Sequence, residues 1–277
     1  MGPAGRVPGR AGNVTRARRP DGSPVAVKSY PRADTAVYKC WGSGAGNERL
    51  AALLLPGLRI PRAYRVWTDG DGEYAELGWL SGGTLTPPLD GETLHRAGRL
   101  LGRLHRCRGG WWGSLDGAHR FASAAAAFAD RFAAAVQLLS RSHADLAAAV
   151  REWVGPRLAG LRLTGPPCLV HGDFGPRNLV AGAELGLIDW EHARWGHPLE
   201  DWAKIRLAAD FPEPNGFGAA PAFDPLAAGW RATVGQPASA EPDTELVLGL
   251  YLAICLGVFF APHDGGRLAW VRDVVGG

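Results

Sequence analysis

The amino-acid sequence predicts an α+β fold in two unequal parts, a small β-rich N-terminal lobe over residues 1–78 and a larger, mostly helical C-terminal lobe over residues 79–277. Three observations lead there. Between residues 24 and 79, short runs of β-branched and aromatic residues alternate with glycine and aspartate turns. Ser81-Gly82-Gly83-Thr84 then breaks that pattern, and apolar residues recur at helical spacing beyond it. Inside the helical half, residues 168–190 form one strand–loop–strand segment rich in polar side chains. A chain of 277 residues with 46% apolar content can bury a real core in such a two-part arrangement.

The elements follow in order. Residues 7–19 run Val-Pro-Gly-Arg-Ala-Gly-Asn-Val-Thr-Arg-Ala-Arg-Arg, with Gly9, Gly12 and Asn13 where a strand would turn back on itself. Glycines there let backbone N–H groups approach an anion, although an arginine-rich turn without that role fits the same residues. Little sequence precedes this turn, so the first strand is very short or missing. Residues 24–30 read as a strand, with Lys28 set among apolar neighbours. Such a lysine either points to solvent at a sheet edge or faces something anionic.

Residues 47–55 read as a helix capped by Asn47 and stopped by Pro56-Gly57, with Glu48 near its start. Residues 59–67 and 74–79 are strands joined through Asp69-Gly70-Asp71-Gly72. From residue 91 to 107, Leu94, Ala97, Leu101 and Leu104 share one helical face, and His105 reads as a packed or capping residue. Residues 121–160 hold two or three core helices, with breaks near 140–143 and at Gly155-Pro156. Pro198 opens a further helix with Leu199, Trp202 and Ile205 inward. Residues 211–242 are rich in proline, glycine and alanine and short of any period, so they form a substrate-side loop or an irregular insertion. Residues 246–261 are uncharged, but they fall short of the ~20 residues a membrane span needs and read as a buried helix.

Charge and cysteine content narrow the setting. The four cysteines, at 40, 107, 168 and 255, form no Cys-x-x-Cys pair, which fits a reduced cytoplasmic protein. No apolar segment follows Arg6 and Arg10, so no signal peptide is expected. A net charge of +3 argues against nucleic acid as the main partner. Residues 1–60 contain ten basic and three acidic residues, whereas residues 189–245 contain ten acidic and four basic ones. The first part favours phosphate and the second favours cations. His192 and His197 flank a tryptophan without a third ligand at metal spacing, so zinc is not expected.

The polar segment reads Leu169-Val170-His171-Gly172-Asp173-Phe174-Gly175-Pro176-Arg177-Asn178-Leu179-Val180 and, after a turn at Gly182-Ala183-Glu184, Leu187-Ile188-Asp189-Trp190. This layout can bring two carboxylates and a carboxamide to one side of a small sheet. Phosphoryl transfer needs such a set: a carboxylate to orient or deprotonate a hydroxyl, and hard oxygens to hold Mg²⁺ against nucleotide phosphates. His-x-Asp-x-x-x-x-Asn followed by an Asp at a strand end is the order of the kinase catalytic and metal loops. With Gly172 where a protein kinase has Arg, and Ile188-Asp189-Trp190 where it has Asp-Phe-Gly, the chain resembles the aminoglycoside phosphotransferase and choline kinase-like family of small-molecule kinases. Gly196-x-Pro198-x-x-Asp201 is similar to that family's Gly-Asp-Pro-x-x-Asp-Leu-Ala signature, with His197 for the first Asp and Trp202-Ala203 for Leu-Ala.

The resemblance implies a bilobal protein-kinase-like fold and a set of roles. Asp173 would act as base or positioner for the acceptor hydroxyl, and Asn178 and Asp189 would bind Mg²⁺. Lys28 would hold the phosphates of ATP (or GTP), oriented by Glu48. Gly9, Gly12 and Asn13 would form a short nucleotide-covering loop, and Gly78, Trp79 and Leu80 the hinge that meets the base. His171 and Asp201 would support the catalytic loop, Asp201 by accepting backbone hydrogen bonds. The acid-rich stretch, with Glu191, Glu200 and Asp210 on the substrate side, suits a cationic, hydroxylated acceptor such as an aminoglycoside, which would place the protein in antibiotic resistance. A choline-like or amino-sugar acceptor satisfies the same charge argument. An inactive nucleotide-binding homologue and a nucleic-acid-binding N-terminus are the readings from other classes. Monomer and dimer both stay open.

Overall fold

The computed structural model describes residues 6–8, 13–31, 41–70, 72–161, 163–211, 216–218, 223–235, 242–259 and 266–277. Five antiparallel strands form the N-terminal sheet: β1 (Arg6–Pro8), β2 (Asn13–Arg18), β3 (Pro24–Pro31), β4 (Ala63–Thr68) and β5 (Gly72–Gly78), in the order β1-β2-β3-β5-β4. β1 has only three residues, so the first strand is short, not missing. The central pair β3 and β5 buries Val25, Tyr30, Ala75 and Leu77, as expected of half-buried strands. Lys28 sits in the middle of β3, opposite Val14 and Ala75. It is therefore an interior-strand lysine and not an edge one.

Helix α1 (Gly44–Leu54) lies against this sheet. It begins earlier than expected. Ser43 is its N-cap, accepting from the Gly46 N–H at 2.8 Å, and Asn47 is a buried residue inside the first turns. The sequence pointed to Asn47 because Gly44 and Gly46 are poor helix formers; Ser43 overrides them by satisfying an otherwise orphaned donor.

The helical part opens with α2 (Gly91–Arg106), capped by Asp90 through the Thr93 N–H at 2.6 Å. α3 (Ala124–Ser140) and α4 (Ala144–Gly160) follow. α4 runs through Gly155 and Pro156 without the expected break. α5 (Leu199–Asp210), α6 (Phe223–Val234), α7 (Pro242–Phe259) and α8 (Arg267–Gly276) complete the described helices. Phe128, Phe132, Val136 and Leu139 of α3 pack with Val150 of α4 and with Tyr251, Ile254 and Leu256 of α7 in one core. Among the described residues no helix is long and apolar enough to cross a membrane.

α6 lies inside the stretch whose sequence showed no period. Its composition hid it, because Pro225 and Gly229 lower helix propensity. Gly229 is there for contact. A Cβ on it would lie 2.0 Å from the His95 carbonyl oxygen of α2, and one on Gly98 of α2 would lie 1.9 Å from that of Leu226. Small residues let two backbones touch, and tertiary packing outweighs local preference.

Short strands frame the polar segment. β8 (Cys168–Val170) pairs with β11 (Arg194–Gly196), which continues through β6 (Trp112–Gly113) to β7 (Arg120–Phe121). β9 (Leu179–Val180) and β10 (Gly186–Leu187) make the hairpin between the two halves of the segment.

Candidate active site

β8 is wholly buried and delivers His171 to the end of a strand. The His171 ring is fixed at both nitrogens: Nε2 lies 3.0 Å from the Ile188 carbonyl, and Nδ1 accepts the Asp173 N–H at 3.3 Å. Those partners select the neutral tautomer with the proton on Nε2. Burial pushes its pKa down, in the same sense. Gly172 follows at φ 84°, where a Cβ would come within 2.7 Å of the His192 carbonyl oxygen. That crowding explains glycine where the protein-kinase pattern has arginine.

Asp201, near the start of α5, clamps this turn from behind. Its Oδ2 accepts the His171 N–H at 3.0 Å and its Oδ1 the Gly172 N–H at 2.7 Å. His105 Nε2 donates to Oδ2 at 3.0 Å, and His105 Nδ1 accepts from Trp230 Nε1 at 2.9 Å, which sets the tautomer. Burial would raise the pKa of Asp201, but the His105 and backbone donors hold it below the usual carboxylate range.

Asp173 emerges from the loop partly exposed. Asn178 ends a 3₁₀ turn, Pro176–Asn178, and its Nδ2 donates to the Asp173 carbonyl at 2.8 Å and to Oδ2 at 3.0 Å. Donation through nitrogen leaves the amide oxygen of Asn178 as its other polar atom. The Asn178 carbonyl accepts the Ile188 N–H at 2.9 Å. Ile188 is thus bonded to both His171 and Asn178, and it places Asp189 beside the loop. Asp189 is the one described non-glycine residue with positive φ, 71°. Such a conformation costs of order 1–3 kcal/mol and persists where the surroundings impose it, commonly at functional sites.

Lys28 reaches the same place from the N-terminal sheet. Its ammonium pairs with Asp189 Oδ1, with Glu48 Oε1 at 3.2 Å and with Glu191 Oε2 at 3.3 Å. Burial would lower the pKa of Lys28, but the three carboxylates overcompensate and raise it well above its ordinary value. Burial likewise opposes ionisation of Asp189, and Lys28 beside it keeps its pKa lowered. Burial raises the pKa of Glu48, which also accepts the Tyr30 hydroxyl at 2.9 Å. Asn47 donates to the carbonyls of Glu191 (3.0 Å) and Ala193 (3.1 Å), tying α1 to the segment after Asp189. Neither Asn47 nor Tyr30 stood out in the sequence as a site residue; their spacing from Glu48 and Lys28 carries no motif.

Several expected site residues lie elsewhere. Glu200 is buried, pairing with Arg131 and, through Nε at 2.8 Å, with Arg194, while also accepting the His197 N–H at 2.9 Å. It braces the interior. Glu191 is buried against Lys28 and lies 3.4 Å from His192 Nε2, so it belongs to the lysine cluster. His192 is neutral there, its pKa pushed to about 4 chiefly by burial. Asp210 is exposed at the end of α5, in a groove of about 170 Å³ shared with Trp202, Arg206, Glu245 and Trp270. The N–H groups of Gly78 and Trp79 donate to the carbonyls of Arg62 (2.7 Å) and Pro24 (3.3 Å). Gly9 and Gly12 lie outside the described residues; Asn13 is the first residue of β2.

The Glu200 pair makes a pH prediction. Burial would raise its pKa, but Arg131 and Arg194 hold it at about 2. An unfolded glutamate titrates near 4.3. The pair's contribution, about 3 kcal/mol by that difference, is therefore complete above about pH 4.5 and is lost as the pH falls toward 2. Glu200→Gln is expected to lower stability at pH 7 by about 3 kcal/mol and to flatten the acid limb of denaturant unfolding. A variant with the wild-type acid limb would contradict this account.

A magnesium ion fits the residues present. The available donors are hard oxygens, the Asp189 carboxylate and the Asn178 amide. Among the described residues no three His, Cys, Asp or Glu side chains are grouped to hold a metal alone. A site of two protein ligands completed by phosphate and water is the kind Mg²⁺ takes.

A family model described as "Phosphotransferase enzyme family" matches residues 9–235. Comparison with curated proteins finds no match. Among solved structures, a protein provisionally assigned as a fructosamine-3-kinase from Haemophilus somnus 129PT is 12% identical, with a TM-score of 0.69 over 99% of this chain and 90% of that one. A thermostable mutant of aminoglycoside phosphotransferase APH(4)-Ia is 15% identical, with a TM-score of 0.65 over 99% and 96%. Amicoumacin kinase hAmiN, solved with AMP-PNP, Ca²⁺ and Ami, is 12% identical, with a TM-score of 0.65 over 98% and 87%. At these identities the likeness is one of fold.

Proposed function

Because the chain belongs to the phosphotransferase enzyme family, whose model spans residues 9–235, we propose that it transfers the γ-phosphoryl group of ATP to a hydroxyl of a small molecule. The observation that carries this reading is the convergence of Lys28, Glu48 and Asp189 from a strand, a helix and a loop far apart in the chain. Residues 1–78 serve as the nucleotide-binding lobe and residues 79–277 as the lobe of catalysis and acceptor binding.

Each residue has a task. Lys28 exchanges one of its carboxylates for the nucleotide phosphates, held in reach by Glu48. Asp189 and Asn178 would hold Mg²⁺, which would supply charge neutralisation on the nucleotide phosphates. Asp173 orients the acceptor hydroxyl and takes its proton. His171 and Asp201 keep that carboxylate in place. The remainder is positioning, which suits a loose phosphoryl transition state.

Fold neighbours support a nucleotide donor. APH(4)-Ia was solved with AMP-PNP and hygromycin B, and two of its ternary complexes have alanine in place of an aspartate and an asparagine five positions apart. Asp173 and Asn178 have that spacing here.

The acceptor is a hydroxylated small molecule bearing amines, an aminoglycoside or a related antibiotic in the first instance. With Glu191 and Glu200 inside the protein, and Asp210 on the face of α5 turned away from Asp201 and Lys204, that class rests on the acid-rich composition of residues 189–245 alone. A panel of aminoglycosides, choline and amino sugars, offered with ATP or GTP and read by nucleoside diphosphate release, tests the whole reading. Release stimulated by an amine-bearing acceptor is expected. Tight Mg·ATP binding without product from any acceptor would make the chain an inactive homologue, and reaction with uncharged or acidic acceptors alone would overturn the cationic class.

A further inference from the structure

The chain avoids lysine. Of its 30 basic residues only Lys28, Lys39 and Lys204 are lysines. Lys28 stands in the phosphate site. Lys204 is 3% exposed on α5, three residues after Asp201. The helix that clamps the His171–Gly172 turn through Asp201 thus also brings an ammonium to the front of the same loop. Its Nζ lies 3.8 Å from Asp173 Oδ1, while Oδ2 of that carboxylate receives Asn178.

Surface charge does not explain this residue. A solvated helix position in this sequence is filled by arginine, as Arg206 two residues later shows. A buried ammonium costs several kcal/mol unless negative charge faces it. Lysine differs from arginine as a compact point charge with three rotatable donors, suited to a small tetrahedral anion.

Resting on the kinase reading above, we propose that Lys204 is a second catalytic lysine, contacting the transferring phosphoryl group from the acceptor side. In the step, the acceptor oxygen bonds to the γ-phosphorus and its proton passes to Asp173. The bond from that phosphorus to the bridging oxygen breaks, and its electron pair leaves with ADP. Lys204 keeps its protons throughout and neutralises charge on the equatorial oxygens, work that preorganised donors commonly do. A consequence concerns the acceptor. Its amines lie away from the reacting hydroxyl, because a cation next to that hydroxyl would meet Lys204.

Titration calorimetry on the full chain tests this without a known acceptor. The probes are Mg·ADP alone and Mg·ADP with aluminium fluoride, a mimic of the transferring group. In the wild type, fluoroaluminate tightens binding. Lys204→Met is expected to keep Mg·ADP affinity within about twofold and to lose about 10²-fold of the fluoroaluminate gain. A purely structural role would weaken both or neither. Lys204→Arg keeps the charge but not the point geometry, and a partial gain is expected. Should the Met variant fail to fold, Lys204→Gln takes its place, and failure of both overturns the proposal in favour of a structural role. A wild type that binds Mg·ADP but gains nothing, or a variant that keeps the full gain, overturns Lys204 alone. A wild type that does not bind Mg·ADP overturns the kinase reading, and this proposal with it.

Discussion

Asp173→Asn is expected to cut phosphoryl transfer by about 10²–10⁴-fold, the usual contribution of a positioned acid–base group. The replacement is nearly isosteric, and an amide oxygen can still accept the Asn178 bond that now reaches Oδ2 at 3.0 Å. His171 accepts the backbone N–H of residue 173, not its side chain, so the loop keeps its anchor. What the amide cannot do is take a proton from the acceptor. Mg·ATP affinity should therefore stay close to wild type while turnover collapses, and the melting temperature should fall only by what Lys204, 3.8 Å from Oδ1, loses with that charge. Turnover near the wild-type rate would remove Asp173 from the chemistry.

Asp189→Asn is expected to cost at least as much, about 10³-fold or more in turnover, by removing the charged ligand proposed for the metal. Asparagine tolerates positive φ better than most residues, so the backbone at 71° can be retained. Lys28 keeps Glu48 and Glu191 as counter-charges, so its burial remains compensated. The fold should survive, and the distinguishing readout is the metal. Turnover titrated with Mg²⁺ should demand far higher concentrations in the variant. An unchanged Mg²⁺ profile would take Asp189 out of the metal site.

These two variants separate the chemistry from the scaffold, because neither residue braces the interior. Glu200 is the contrast. It lies one residue before Asp201 and within the same acidic stretch, yet it is locked between Arg131 and Arg194. In sequence the two acids looked alike apart from one signature position.

Much of the architecture was legible because it is locally encoded. β3, β5 and α2 follow from alternation, helical spacing and caps, each set within a few residues. The segment from His171 to Asp189 was legible for another reason: its residue types at fixed spacing are few and their chemistry is specific. α6 was not, since Gly229 is chosen for contact with α2 and works against the helix it sits in. The start of α1 was misplaced by four residues for a related reason, as Asn47 resembles a cap but bonds across to the Asp189 segment.

Residues close in the chain announced the strands, most helices and the loop that sets Asp173 against Asn178, because their interactions span few positions. That Asp189 and Glu191 join Glu48 around Lys28, which acid is buried by arginines, and that Lys204 stands beside Asp173 emerged from folding alone. Apart from the Arg194–Glu200 pair, those contacts join positions from 20 (Lys28–Glu48) to 163 (Lys28–Glu191) residues apart, and no local pattern fixes which of several equivalent charges arrives at such a distance.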